Sequence, residues 1–194
     1  MSVDDDLADT VAEGLRIGWP RIFVTVGTDH HPFDRVVRWA DAWAAEHPQA
    51  EVVVQHGEAA APQVASGHLT LPFAQMRRYM EAADVVITQG GPGGIMDSRA
   101  VGRLPIVVPR TVALGEHVDD HQVEFSRHMA AQGRIALALD EAEFRALISR
   151  AIEHPEEFVV ALEKSPTAAT AATIEAAINR LVAEPRRRRW TRRR

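Results

Sequence analysis

The sequence predicts an α/β fold: a single domain with a parallel sheet of about six strands and helices on both faces. Three observations predict it. From residue 21 onward, short β-branched runs alternate with longer stretches of helical periodicity. The segments between successive runs leave little room for hairpins, so neighbouring strands run parallel. Runs such as Val85-Val86-Ile87 and Ile106-Val107-Val108 are apolar on consecutive residues, as strands covered on both faces are.

Each element follows in order. Ile22 to Val26 is β-branched and stops at Gly27, a strand followed by a turn. Phe33, Val36, Val37, Ala40, Trp43 and Ala44 recur at helical spacing, which makes residues 33–46 an amphipathic helix. Residues 51–54 form a second strand and 68–71 a short third one. Residues 73–83 are helical, 85–88 are the fourth strand, and a helix starts soon after Pro92. The fifth strand, 106–108, ends at Pro109; a helix over roughly 118–132 is closed by Gly133; and 135–139 is the sixth strand. Asp140 then caps a helix to about residue 152, and Pro166 opens a long alanine-rich helix to about 184. The pattern is that of one Rossmann-like domain over residues 21–184.

Two segments flank it. Residues 1–20 form an acidic extension, either a short helix along Leu7, Val11 and Leu15 or a disordered arm. Residues 185–194 are a basic tail in which RRRRWTRRR holds seven of the chain's 22 basic residues, leaving about −12 on residues 1–185. An acidic body argues against a nucleic-acid-binding fold. The tail suits an anionic membrane, nucleic acid or an acidic partner, or it is a solvated end. No apolar run approaches the ~20 residues of a membrane span, and the start of the chain does not read as a signal peptide. With no cysteine, thiolate metal sites and disulfides are excluded, and a cytoplasmic location is expected.

The sharpest motif is TQGGPGGIMD, residues 88–97. In an open parallel sheet, ligands bind beyond the carboxyl ends of strands, and this loop occupies such a place. Glycines admit a ligand against bare backbone, and the following helix start favours a phosphate; the alternative is a tight turn with no ligand. The P-loop pattern is absent, and a dinucleotide fingerprint belongs after the first strand rather than the fourth. Asp97, one turn into the helix, is placed for ribose hydroxyls. A second polar cluster, GEHVDDHQ at 115–122, follows the fifth strand. It reads as sugar-hydroxyl recognition by a carboxylate and Gln122, as a helix cap through Asp119 or Asp120, or as a metal pair of His117 and His121 at i and i+4. The zincin pattern fails because Val118, not Glu, follows His117.

Taken in order, VTVGTDHHPFDRVV at 24–37, GGPGG at 90–94 and PRTVALGEHVDDHQ at 109–122 are recognisable. They resemble the C-terminal, UDP-sugar-binding half of GT-B glycosyltransferases of the peptidoglycan N-acetylglucosaminyltransferase superfamily. More closely, they resemble stand-alone small subunits, such as those of the dolichol-linked UDP-GlcNAc transferase and of bacterial exopolysaccharide enzymes. The resemblance covers roughly residues 21–152. It implies that Gln89, Gly90, Gly91, Gly93 and Gly94 take the donor diphosphate and Asp97 the ribose. Asp119 and Gln122 match the segment that reads the donor sugar, Glu116 and His117 beside them also count as donor-binding, and Gly27 and Thr28 would face the cleft between donor and acceptor. Three positions depart from the pattern: Gln89 where relatives often have histidine, Gly94 where they have Ser or Thr, and Asp97 where they have Glu.

The expectation is therefore the donor-binding subunit of a two-component inverting glycosyltransferase. It moves a sugar from a UDP-sugar to a lipid-linked or polysaccharide acceptor without an obligatory metal or cofactor. The acceptor half is expected in a separate, membrane-anchored subunit, placing this chain at the cytoplasmic face of the membrane, with Arg186–Arg194 against anionic lipid. The base that deprotonates the acceptor hydroxyl is expected in that partner or, locally, at His31 or Asp29, where the alternative is a plain solvent-exposed loop histidine. The competing reading is a non-catalytic nucleotide-sugar-binding or regulatory subunit.

Overall fold

The computed structural model describes residues 19–162. Six strands, β1 (Arg21–Thr25), β2 (Glu51–Gln55), β3 (Ser66–His68), β4 (Val85–Gln89), β5 (Ile106–Val108) and β6 (Ala136–Leu137), form one sheet in the order β3-β2-β1-β4-β5-β6. All five pairings are parallel. Five α-helices alternate with them: α1 (Asp34–Glu46), α2 (Phe73–Ala82), α3 (Pro92–Ala100), α4 (His121–Ala131) and α5 (Glu141–Glu153).

The strands bury both faces, as their unbroken apolar runs require. Ile22, Val24, Ile87, Ile106 and Val108 point to one face and pack with α1 and α5 through Val36, Trp43, Phe144 and Ile148. Phe23 and Val86 point to the other, against Met80 of α2, and Val107 meets Ile95 of α3 on that side. Phe23 is 1% exposed and stacks on Tyr79 at 5.4 Å; truncating such a ring to alanine costs about 3–5 kcal/mol.

Local signals set the element ends. Asp140 caps α5 by accepting from the Glu143 N–H at 2.8 Å, while the Glu143 carboxylate accepts from the Leu139 N–H at 2.7 Å. Asp41 of α1 accepts from the N–H groups of Gln63, Val64 and Ala65, which fastens the strand-poor stretch before β3. Partial burial alone would raise the Asp41 carboxyl, but these three donors outweigh it and hold it below its ordinary 3.8.

Three boundaries differ from the sequence reading. β3 lies at Ser66–His68 rather than 68–71, because the register against Val53, Val54 and Gln55 ends there and leaves Leu69 exposed. α4 begins at His121, not near 118, because residues 112–114 take a 3-10 turn closed by a left-handed Gly115 and Asp120, whose side chain accepts from the Val112 N–H, holds the N-cap position. β6 is two residues long. The expected helix after Pro166, the acidic extension before Trp19 and the basic tail lie outside the described residues.

The strand order positions the site. The loop after β1 leads to α1 on one face, and the loop after the adjacent β4 leads to α3 on the other. The two loops diverge at the strands' carboxyl ends and leave a crevice between them, the place where open α/β sheets hold ligands.

Candidate functional site

A cleft of about 300 Å³ occupies that crevice. One wall is the end of β1 with Gly27 and Thr28; the floor and second wall are Thr88, Gln89, Gly93, Gly94 and Asp97. Leu71, Phe73 and Met76 add an apolar side, and Phe73 is 61% exposed. A larger hollow of about 380 Å³, lined by Trp19, Arg21, Gln49, Glu51 and Ser66, lies at the amino ends of β1 and β2. Size does not decide between them. The smaller cleft has the helix N-terminus and convergent polar groups that a ligand needs, at the end of the sheet where loops vary independently of the core.

The first loop is held by Gln55, whose side chain bridges three backbone groups. Its Oε1 accepts from the Thr25 hydroxyl at 2.7 Å and the Gly27 N–H at 3.2 Å; its Nε2 donates to the carbonyls of Gly27 and Leu69 at 3.0 and 3.1 Å. Gly27 sits at φ +78°, a left-handed turn that a side chain would strain.

In the glycine loop none of the four glycines has a positive φ, so the turn itself does not require them. Their surroundings separate them into two kinds. A Cβ on Gly90 would lie 2.8 Å from Ser126 Oγ, and one on Gly91 only 2.3 Å from Gln89 Nε2. These two admit the protein's own side chains. Gly93, in contrast, has nothing within 4 Å. It stands in the first turn of α3 after Gly91, an N-cap with no side-chain hydrogen bond, and Pro92 at N1. Gln89 Oε1 accepts from the Gly91 N–H at 2.6 Å, and the opening turn then presents the N–H groups of Gly93 and Gly94, both lining the cleft, with no side-chain cap. Asp97 borders the same cleft. Burial raises its carboxyl above the ordinary 3.8, and the positive charge of Arg77 offsets only part of that.

The remaining predicted residues form a neighbouring polar cluster. His31 Nδ1 lies 2.7 Å from Asp29 Oδ1, and its N–H donates to the same oxygen at 2.8 Å. His117 Nε2 approaches Asp29 Oδ2 at 3.9 Å, while its Nδ1 is 3.3 Å from Asp119 Oδ1. The two sequence-distant loops therefore meet at Asp29. Desolvation works to raise the Asp29 carboxyl, but the His31 hydrogen bonds and the Arg110 charge prevail and lower it. His121 does not share a helical face with His117, which precedes α4; both turn to Asp119 Oδ1, His121 at 2.8 Å. Asp120 occupies the N-cap position of α4 without a capping side-chain bond; its Oδ1 accepts from the Val112 N–H instead. Asp29, His30 and His31 bring ligand atoms within 4.8 Å of one another. Hydrogen bonds from His31 already occupy Asp29 Oδ1 there.

Two arginines that sequence reasoning missed hold these loops together. Arg35, on the buried side of α1, pairs with both oxygens of Glu116 at 2.6 and 3.0 Å and donates to the Pro109 carbonyl at 2.6 Å. Glu116 is 5% exposed, and its Oε2 also accepts from the Thr111 N–H at 3.1 Å. Arg110, 1% exposed, donates to the carbonyls of His31, Val26 and Glu116 at 2.6, 2.9 and 3.1 Å and lies 4.6 Å from the Phe33 ring centroid. Its burial pushes the guanidinium below its ordinary range, with Asp29 and Glu116 opposing. Gln122 closes the frame: its Oε1 accepts from the Arg110 N–H at 3.2 Å, and its side chain sits over Gly90. An arginine among the apolar positions of an amphipathic helix, as Arg35 is, was the available signal; Arg110 carries none.

The fold is that of one half of a GT-B structure. The likeness to the calicheamicin glycosyltransferase CalG4 has a TM-score of 0.55 at 18% identity and covers 88% of this chain and 46% of that one. ALG13, solved by NMR, gives a TM-score of 0.53 at 14% identity over 81% of this chain and 96% of ALG13. The family description that fits is the glycosyltransferase family 28 C-terminal domain, matched over residues 21–181, and the chain belongs to that family. Among curated proteins it is 32% identical over 119 residues to the UDP-N-acetylglucosamine–N-acetylmuramyl-(pentapeptide) pyrophosphoryl-undecaprenol N-acetylglucosamine transferase of Rubrobacter xylanophilus. That match takes 59% of this chain and 34% of the relative, so the chain spans about a third of its length.

Proposed function

We propose that this domain binds the UDP-sugar donor of a two-component inverting glycosyltransferase, with the acceptor held by a separate membrane-associated subunit. The observation that carries the reading is the start of α3 beside the cleft, where no N-cap side chain covers the N–H groups of Gly93 and Gly94 and Gly93 is open on its outer side. A diphosphate placed there meets free N–H groups and the positive end of the helix dipole. These would stabilise the UDP that leaves, so no obligatory metal is part of this reading. Asp97, one turn along, accepts from the ribose hydroxyls; the flat apolar side at Phe73 and Met76 faces the base. His117, Asp119 and Gln122 are the groups that address the donor sugar. Glu116 acts through Arg35, holding the segment that carries them.

The Asp29–His31 pair supplies a local base. With Nδ1 turned to Asp29 and its backbone carbonyl pinned by Arg110, the His31 ring is fixed in orientation and Nε2 is left to accept the acceptor's hydroxyl proton. The relatives support the choice of donor: the curated one is named for transferring N-acetylglucosamine from its UDP form. The sugar and a lipid-linked or polysaccharide acceptor are carried to this chain on that basis. The location proposed is the cytoplasmic face of the membrane; among the described residues no helix is long and apolar enough to cross it.

The test is transfer of labelled sugar from a UDP-sugar to a lipid fraction, with and without membranes carrying the partner. Transfer that requires both, and that falls at least tenfold in His31→Ala while UDP binding holds, supports the reading. UDP binding with no transfer under any partner condition supports the regulatory alternative instead.

A further inference from the structure

We propose that the hydroxyl of Thr88 is a hydrogen-bond donor to a phosphate oxygen of the bound nucleotide, reached through the gap that Gly94 leaves above it. The proposal rests on the donor-site reading and adds a residue to it. Thr88 is 1% exposed, and its Oγ1 has no hydrogen-bond partner. A buried hydroxyl without a partner is uncommon in a native fold and points to a partner supplied from outside. Among the described residues three buried hydroxyls are in this state, those of Thr88, Thr111 and Ser126. Of these, Thr88 is the one that lines the cleft.

Its position explains what it waits for. Thr88, the last residue but one of β4, lies on the face that carries α3, under that helix's first turn. A Cβ on Gly94 would lie 3.4 Å from Thr88 Cβ, 3.5 Å from Cγ2 and 3.9 Å from Oγ1, so any side chain there would roof the threonine over. Gly93 and Gly94 line the cleft with Thr88 and carry no side chain to stand between it and a ligand. The N–H groups of Gly93 and Gly94, in the helix's first turn, border the same spot. A hydroxyl that rotates to suit its acceptor then adds one more donor to that set. Donors from several directions at a positive helix end select an anionic, acceptor-rich group, which a phosphate is and a sugar hydroxyl is not.

Calorimetric titration with UDP of the wild type, Thr88→Ser, Thr88→Val, Gly94→Ser and the double variant Thr88→Val/Gly94→Ser tests this, alongside the melting temperature of each without nucleotide. Valine keeps the shape and drops only the orphan hydroxyl, so Thr88→Val should melt at or above the wild-type temperature. It should bind UDP about tenfold more weakly, while Thr88→Ser stays within about twofold. In the Gly94→Ser background Thr88 is already covered, so adding Thr88→Val should change affinity by less than about twofold, a non-additive cycle. Wild-type affinity in Thr88→Val, or a loss that accompanies a lower melting temperature, overturns the proposal and leaves the donor site standing. A wild type that does not bind UDP overturns the donor site itself, and this inference with it.

Discussion

Gly91 and Gly93 are two residues apart and answer to different demands. At Gly91 an added Cβ would displace the Gln89 side chain, which now accepts from the Gly91 N–H at 2.6 Å. Gly91→Ala should therefore destabilise the chain by about 1 kcal/mol, read by urea unfolding. At Gly93 the Cβ would meet nothing, and alanine is the better helix former, so Gly93→Ala should stabilise by about 0.5–1 kcal/mol. The same methyl would stand over the helix start and weaken UDP binding. Stability and affinity moving in opposite directions mark a glycine kept for a ligand. Asp97 behaves alike. Because its folded carboxyl is raised above 3.8 by burial, the folded state holds its proton to higher pH than the unfolded chain, and ionising it subtracts stability as pH rises through that range. Asp97→Asn should melt higher than the wild type at pH 7, with a gap that closes toward pH 4, and should bind UDP more weakly. In the sequence the four glycines read as one loop of one kind; only the packed positions of Ser126 and Gln89 set Gly90 and Gly91 apart from Gly93.

Among the elements, the stretch from β5 to α4 is where sequence and structure part most. Strands and long helices were legible because apolar periodicity and caps such as Asp140 act within one turn. Residues 109–120 have no such period. Their path is set by Arg35 reaching in to Glu116 and by Arg110 reaching out to Val26, contacts separated by 81 and 84 residues. No local pattern reports such a bond. The Arg35–Glu116 pair is the clearest consequence. Removing one partner strands a buried charge, so Glu116→Ala should cost about 3–5 kcal/mol in urea unfolding and Glu116→Gln less. A shortfall below about 1 kcal/mol would show that the segment is held by something else. β3 makes the same point in small: its apolar residues suggested 68–71, but pairing with β2 fixes it at Ser66–His68.

At the scale of the molecule, the sheet order was not legible at all, yet it is what sets β1 beside β4 and opens the crevice. The parallel α/β class and the six strands did follow from the sequence, as did the family, through three motifs whose joint order no single one conveys. The Arg-rich end adds a prediction of its own. Each arginine near an anionic leaflet contributes about 1 kcal/mol, so deleting residues 186–194 should abolish sedimentation with anionic vesicles and leave UDP binding unchanged; equal sedimentation would rule out the tail as the anchor.

The central claim is that UDP binds at the carboxyl ends of β1 and β4. Amide chemical-shift mapping of the labelled chain during UDP titration tests it most directly. The largest changes are predicted at Gly27, Gly91, Gly93, Gly94 and Asp97. Changes confined to the hollow at Trp19, Gln49 and Ser66, or none at saturating UDP, would contradict it.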